Sequence, residues 1–153
     1  MLKFFQYNWQ VRDEWFEWCK QLSNEELLKN RKGGVGSILH TFFHIIDVEY
    51  SWICGIQGKE DLVVPFEEYQ TLDKVMELSE EYRQEILIFQ ESYSESSSDE
   101  RIQVAWNKDT YSKAEILLHV IAHEIHHIGQ LSVWAREMGF KPVSANFIRR
   151  GLG

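Results

Sequence analysis

Four histidines lie within nine residues of one another in the segment HVIAHEIHHIGQ, which runs from His119 to Gln130. The whole chain has only six histidines. At about 100° per residue, all four fall within an arc of about 100°, which is the width of one helix face. Neutral imidazole is the commonest metal ligand in proteins. This concentration therefore suggests a helix that carries a metal ion.

A second pair of histidines, His40 and His44, lies one helical turn apart in an apolar segment. His123 and His127 have the same spacing, about 6 Å along a helix axis, at which two imidazoles can converge on one ion. Three neutral imidazoles that leave one position open are the ligands of a catalytic zinc site. Hydrogen-bonded core histidines are the ordinary alternative, but burying several unpaired rings costs about 1–3 kcal/mol each. The recurrent spacing therefore favours a metal site.

Two other metal chemistries fit part of the same segment. HEIHH, from His123 to His127, matches HExxH, in which the glutamate is the general base of a zinc peptidase. The extended form of that motif needs glycine at position 130, where Gln130 stands. Glu124 and His127 also resemble half of a di-iron site, but no second ExxH accompanies them. Both alternatives are disfavoured, and Glu124 and His126 are only weak candidates for a catalytic role.

The hydrophobic pattern predicts four long helices to hold these residues, with the last one starting at the capping box SKAE and ending before Gly139. A short helical turn at 23–28, a strand or small hairpin at 102–106 and a terminal helix near 145–150 are also expected. The segment from Gly55 to Gln70 is longer than a tight antiparallel connection needs, so it predicts a crossover. The predicted fold is an all-α four-helix bundle with a single domain, 1–153. The four predicted helices span Leu2–Leu22, Ser37–Cys54, Thr71–Tyr93 and Ser112–Met138.

Composition narrows the function classes. The formal net charge is −8 and no stripe of lysine and arginine is present, which argues against nucleic-acid binding. No apolar run is long enough to span a membrane, and no signal peptide is recognisable. Cys19 and Cys54 form no CxxC pair, so we expect buried thiols and a cytoplasmic protein. Surplus apolar residues on the last helix predict a homodimer; they are Leu117, Ile121, Ile125 and Ile128.

Two stretches resemble the DinB/YfiT-like metal-binding four-helix bundles: FFHIIDVEYSW and LLHVIAHEIHHIGQ. The resemblance implies helices in up-down-down-up order, frequent dimers, and zinc or nickel held by His44, His123 and His127. His119 matches a position that is not a usual ligand, so it is expected beside the ligands or in the core. His40 has no counterpart. Ile128 replaces an arginine that usually follows the last ligand.

The resemblance also implies a choice of functions. Some relatives are enzymes that transfer a low-molecular-weight thiol such as bacillithiol to an electrophile, or that isomerise a substrate with a thiol cofactor. We therefore expect a divalent ion that either lowers the pKa of a bound water or binds a thiol as thiolate. The substrate would be a small molecule, and the enzyme a thiol S-transferase or a hydrolase. The alternative is a non-catalytic, stress-related bundle with a structural or sensory ion.

Overall fold

The computed structural model describes residues 1–153 and consists mostly of helices. Four long helices and one short helix account for the all-α fold that the sequence predicts. Two short strands form an antiparallel hairpin in which Ile102 pairs with Tyr111. The elements are α1 (Leu2–Cys19), α2 (Asn24–Leu28), α3 (Ile38–Ile56), α4 (Leu72–Ser92), β1 (Arg101–Gln103), β2 (Thr110–Ser112) and α5 (Lys113–Glu137), with 3-10 turns at Phe66–Glu68 and Glu95–Ser97.

Side-chain caps fix where most of these helices begin. Ser23, Ser37 and Thr71 each accept a hydrogen bond from the backbone three residues later, which satisfies one free amide at the helix start. Ser112 and Glu115 form the capping box predicted for the last helix. Gly139 follows that helix with φ of 81°, a left-handed conformation that suits glycine.

The terminal helix expected near 145–150 is absent, so this prediction was wrong. The segment instead packs along α1, where Tyr7 donates to the carbonyl oxygen of Ala145 at 2.6 Å. Arg150 pairs with Glu14 and donates to two backbone carbonyls of its own segment. Arg149 has φ of 69°, which no α-helix contains. Contacts with α1 therefore replace the backbone bonds of a helix.

Pairs of contacting side chains show how the four long helices run. α1 lies parallel to α5 and antiparallel to α4, while α3 lies antiparallel to α5 and parallel to α4. This is the up-down-down-up order, and the connection between α3 and α4 is a crossover. The pairs are Asn8–Ile121 and Arg12–Glu124 for α1 with α5, Trp9–Arg83 and Arg12–Ser79 for α1 with α4, His44–His123 and Trp52–His119 for α3 with α5, and Tyr50–Tyr82 for α3 with α4, followed by Lys59–Glu85 just beyond the end of α3.

One apolar core of 31 buried residues joins all four long helices. The β-hairpin closes one end of the α3–α5 interface, because Val104 sits against Gly55 so closely that a Cβ there would lie 2.8 Å from Val104 Cγ1. Both cysteines are buried and unpaired. No helix combines the length and the apolar character that a bilayer crossing requires.

The residues on which the homodimer prediction depended are mostly inside the monomer. Leu117, Ile121 and Ile128 belong to the buried core, and only Ile125 is exposed. Their apolar character is explained by the contact of α5 with both α1 and α3, so it is no surplus. A dimer has to be argued from other residues.

Candidate metal centre

Three histidines from two helices converge on one point. The antiparallel packing of α3 and α5 brings Nε2 of His44 within 3.1 Å of Nε2 of His123. Nε2 of His127, one turn further along α5, lies 3.2 Å from the same atom. The three nitrogens lie within 4.8 Å of one another. We call these three residues the histidine cluster.

The nitrogen spacing fits a divalent ion. Zinc–nitrogen bonds of about 2.0–2.1 Å place two ligand nitrogens of a tetrahedral site about 3.3 Å apart. The two short separations in the histidine cluster are close to that value. A neutral imidazole has only one N–H, so His123 Nε2 can donate to one neighbour at most. At least one of the two contacts therefore has no hydrogen bond, unless a cation lies between the nitrogens.

Gln130 sets the tautomer of His127. Its Oε1 lies 2.8 Å from His127 Nδ1, which must donate to it, so the proton is on Nδ1 and the lone pair is on Nε2. This is the arrangement by which an outer hydrogen bond orients a metal-ligating histidine. Gly34 makes room for it, because a Cβ there would lie 2.5 Å from Gln130 Oε1. Gln130 Nε2 also lies 3.4 Å from His126 Nε2.

Burial keeps these imidazoles neutral. Loss of solvent and the neighbouring histidines His127 and His44 lower the pKa of His123 to about 3. The pKa of His44 is lowered for the same reasons, with His127 as its main charged neighbour. A metal ligand must be the neutral imidazole. His44 and His123 are therefore held in the protonation state that binds a cation.

The other three histidines stay outside the histidine cluster. His119 is exposed, with its ring centroid 6.0 Å from that of His123 and 5.2 Å from that of Trp52, so it is beside the histidine cluster and not in the core. His40 stacks on Phe66 at 4.2 Å, and burial lowers its pKa. His126 is exposed.

Glu124 belongs to a different polar cluster, which lies at the centre of the bundle. Arg12 is fully buried and donates to both oxygens of Glu124, at 2.8 and 2.6 Å, and to Glu49 at 2.6 Å. It also donates to Ser79, while Trp9 donates to Glu49. Burial alone would lower the pKa of Arg12, but the two carboxylates outweigh it and raise the pKa. We call Arg12, Glu49 and Glu124 the arginine cluster.

The arginine cluster decides the role of Glu124. Its side chain is 1% exposed, and both oxygens are hydrogen-bonded by one guanidinium. A general base needs a free oxygen within reach of the substrate. Glu124 therefore does not fit the proton-transfer role considered from the sequence, and its position in the HExxH pattern is coincidental.

A bundle of four long helices in which three histidines converge between α3 and α5, where they could hold a metal ion, defines the class of this protein. The family model of the DinB family matches residues 1–151, so the chain belongs to the DinB family. It is 62% identical to the uncharacterized protein YizA of Bacillus subtilis (strain 168), over 99% of this chain and 96% of that protein.

A solved structure supports the same fold. The crystal structure of a DinB-like protein from Bacillus cereus matches with a TM-score of 0.62 and covers 92% of this chain and 94% of that one. The two sequences are only 19% identical, so this likeness shows the fold alone.

Sequence reasoning found the three converging histidines but missed the groups that support them. Glu49 is buried in the arginine cluster, whereas a charged residue in a helix is usually exposed. Arg12 had one detectable signal, since it occupies the apolar stripe between Val11 and Trp15. Gln130 is spaced three residues from His127, one helical turn, and this spacing could have predicted their hydrogen bond.

Proposed function

We propose that the protein is a metal-dependent enzyme that acts on small molecules, with zinc or nickel held by His44, His123 and His127. The observation that carries this proposal is the convergence of three neutral imidazoles with no fourth histidine, cysteine or carboxylate among them. Structural zinc sites use four protein ligands, whereas catalytic sites use three and leave one position for the substrate.

The preferred reaction is transfer of a low-molecular-weight thiol such as bacillithiol to an electrophile. The bound ion would lower the pKa of the thiol, so that the thiolate predominates at neutral pH. The thiolate sulfur forms a bond to the electrophilic carbon, the halide on that carbon leaves with the electrons of the broken bond, and the thiol proton passes to solvent. Hydrolysis of a small substrate at the same centre is the second reaction to be tested.

The chain's own residues have separate tasks in this proposal. His127 is held in the ligating tautomer by Gln130, and Gly34 gives that amide its place. The arginine cluster fixes α5 against α3 through Glu124 and Glu49, so that the imidazoles from the two helices stay in register. His126 is exposed and accepts from Gln130 Nε2, which makes it the remaining candidate for moving a proton to solvent.

An assay with bacillithiol and monochlorobimane tests the transferase reaction. Tag-free protein, loaded in turn with zinc and with nickel, should form the fluorescent conjugate well above the spontaneous rate. The His123→Ala variant should form it at the spontaneous rate. Metal-loaded protein that gives no conjugate but cleaves a panel of small esters and amides would favour a hydrolase.

A non-catalytic bundle with a structural or sensory ion is the alternative. It predicts a fourth protein ligand and no space beside the ion. A cavity of about 280 Å³ next to His119, described below, supports the enzyme instead. Metal-loaded protein without activity toward thiol acceptors, esters or amides, yet with a large rise in Tm on metal binding, would favour the alternative.

We also propose a homodimer, now from an exposed face of α5. Apolar and small residues recur along this face at helical spacing: Leu118, Ala122, Ile125, Gly129 and Val133. Such a face can bury apolar area against its own copy in a symmetric pair. Light scattering at micromolar concentration should give twice the 18.2 kDa of one chain, and Ile125→Glu should give one chain. A wild-type mass of one chain would refute the dimer.

Two coarser expectations accompany the proposal. Residues 1–153 are taken as one domain, which the single core joining the four long helices supports. The cytoplasm is taken as the compartment, because two unpaired cysteines and a free thiol substrate both suit a reducing environment. Fractionation of the native organism with an antibody to this chain would test the second expectation.

A further inference from the structure

A cavity of about 280 Å³ opens beside the histidine cluster, at the end of the α3–α5 interface that the β-hairpin covers. Helix α3 contributes one aromatic wall, the hairpin a second, and α5 the floor. Half of the lining is apolar or aromatic and half is polar. The lining residues are Trp52, Asn107, Tyr111, Glu115, Ile116 and His119.

Ring contacts hold Trp52 in a fixed orientation. Trp106 lies against it with centroids 5.1 Å apart, Tyr111 at 5.7 Å and His119 at 5.2 Å, with interplanar angles of 66–82°. These are edge-to-face contacts, which are favourable for aromatic pairs. Because its neighbours fix the indole and it remains only partly buried, Trp52 offers the cavity a rigid apolar surface.

The cavity is within reach of the histidine cluster. The His119 ring lines the cavity, and its centroid is 6.0 Å from that of His123, about the rise of one helical turn. His127 is only 7% exposed, whereas His44 and His123 are partly exposed. Of the two ring-bearing positions of the histidine cluster on α5, the more exposed one, His123, is therefore the one nearer to His119 and the cavity.

Three of the polar residues in the lining, Asn107, Tyr111 and Glu115, already have protein partners. Asn107 Nδ2 donates to the Tyr111 hydroxyl at 2.5 Å. Glu115 Oε2 accepts from the backbone of Ser112 and from Arg101. Glu115 is also the one charged side chain of the lining, and its negative charge disfavours an anionic ligand. A ligand therefore gains most from the aromatic and apolar walls.

We propose that this cavity binds an uncharged aromatic group of the substrate, while the thiol end of the same molecule lies at the histidine cluster. The inference rests on the proposed function and adds arylalkyl thiols to its thiol substrates. The His119 ring, which lines the cavity, lies about one helical turn from the His123 ring, and a phenyl group joined to the sulfur by one or two methylene groups spans a distance of that order. Among thiols without the further polar groups of bacillithiol, arylalkyl thiols therefore bind more tightly than aliphatic thiols of similar acidity.

Calorimetric titration of zinc-loaded protein with three thiols tests this selectivity. Ethanethiol, phenylmethanethiol and 2-phenylethanethiol share one reacting group and differ in the part that the cavity receives. A buried phenyl group raises affinity roughly ten- to hundredfold, so at least one aromatic thiol should bind about tenfold more tightly than ethanethiol. Equal affinities for all three thiols would overturn the proposal.

Variants of the cavity walls test whether the preference for aromatic thiols arises in the cavity. Trp52→Ala should reduce the aromatic preference to less than about threefold and leave the affinity for ethanethiol unchanged, because it removes one wall only. Tyr111→Ala provides a second wall variant in case the first fails to fold. Ile88→Ala removes an exposed apolar side chain on α4 and should keep the full preference. An unchanged preference in both wall variants would contradict the assignment.

The negative charge of Glu115 leads to a separate prediction about the charge of the ligand. 4-(Mercaptomethyl)benzoate should bind more weakly than phenylmethanethiol. Glu115→Gln should narrow this gap, since glutamine keeps the capping box of α5 and removes only the charge. A benzoate thiol that binds as tightly as phenylmethanethiol would contradict the proposed class of uncharged groups.

A metal-free measurement separates failure of this inference from failure of the proposed function. Benzyl alcohol, titrated into the metal-free protein, should shift the indole N–H signal of Trp52 in the NMR spectrum, which Trp52→Ala identifies by its loss. If zinc does not bind and this shift is present, the metal centre is wrong and the aromatic site is retained. If zinc binds and no such shift occurs, the aromatic site is wrong.

Discussion

The arginine cluster and the histidine cluster both include residues of α3 and α5, but they differ in how many of their polar atoms have hydrogen-bond partners. In the arginine cluster a single guanidinium meets two carboxylates and a hydroxyl, so donors and acceptors match. In the histidine cluster three ring nitrogens approach one another at 3.1 and 3.2 Å with too few protons between them. One cluster is complete in itself, and the other has the geometry to hold a cation.

This difference shows what a buried polar group indicates in a bundle. Arg12 links Glu49 and Glu124 and also contacts Ser79, so the arginine cluster connects all four long helices. Its polar atoms are used in these hydrogen bonds and are not free to bind a ligand. The converging ring nitrogens of the histidine cluster are free to bind a ligand, and a cavity lies next to them. A buried charged group that is fully paired indicates a structural role, whereas several acceptors that converge without donors indicate a binding site.

The largest effect is expected on breaking the arginine cluster. Arg12→Met leaves two carboxylates buried without a counter-charge and should lower the free energy of unfolding of the metal-free protein by about 3–5 kcal/mol. Arg101→Met is the matched control, because its ion pair with Glu115 is exposed and should contribute little to stability. Urea denaturation measures both. Equal losses would show that the arginine cluster is not a structural centre.

Loss of a histidine ligand should act on metal affinity and not on folding. His44→Ala, His123→Ala and His127→Ala should each weaken zinc binding by roughly 10²–10³-fold, since one ligand of a zinc site contributes about 3–4 kcal/mol. The metal-free variants should unfold at the same urea concentration as the wild type or slightly above it. His40→Ala should bind zinc as the wild type does. Calorimetry that ranks His40→Ala with the other three would contradict the assignment.

A smaller loss is expected when the support of His127 is removed. Gln130→Ala should weaken zinc binding about 10–100-fold, the usual effect of losing an outer hydrogen bond to a ligand. Gly34→Ala should act in the same direction, because its Cβ would displace Gln130 Oε1. Gly33→Ala is the control, with a positive φ in the same loop and no atom within 4 Å of its Cβ. Equal zinc affinities of Gly34→Ala and Gly33→Ala would show that Gln130 does not support the metal centre.

The smallest effect concerns pH. A histidine in the unfolded chain titrates near 6.5, whereas burial and neighbouring histidines lower the pKa of His123 to about 3. Between these pH values the unfolded chain binds more protons, so this residue makes the metal-free protein less stable as the pH falls. Relative to His123→Gln, the wild type should lose about 1–2 kcal/mol of unfolding free energy between pH 7.5 and 5, allowing for partial exposure.

Asp47 acts in the opposite sense and does not disturb this comparison. Burial and the nearby Asp61 raise the pKa of its carboxyl to about 6, so its protonation favours folding as the pH falls. Both proteins retain Asp47, and its contribution cancels in the difference between them. A difference between wild type and His123→Gln that does not vary with pH would show that His123 is not held neutral.

The sequence allowed prediction of the features that depend on local periodicity. Helix positions, the capping box at Ser112 and the one-turn spacing of His123 and His127 all follow from neighbours along the chain. The partnership of Arg12 with Glu124 did not, because it joins residues 112 positions apart. The hydrophobic pattern of α5 was misread as a dimer surface, since contact with two helices needs apolar residues on a wider arc.

The most direct test of the three-histidine centre is a crystal structure of the tag-free protein grown with zinc, with anomalous scattering used to locate the ion. We expect one zinc per chain within about 2.0–2.2 Å of Nε2 of His44, His123 and His127. The fourth position should be taken by solvent or an added thiol. An anomalous signal elsewhere in the chain, or no signal from crystals grown with excess zinc, would contradict the account.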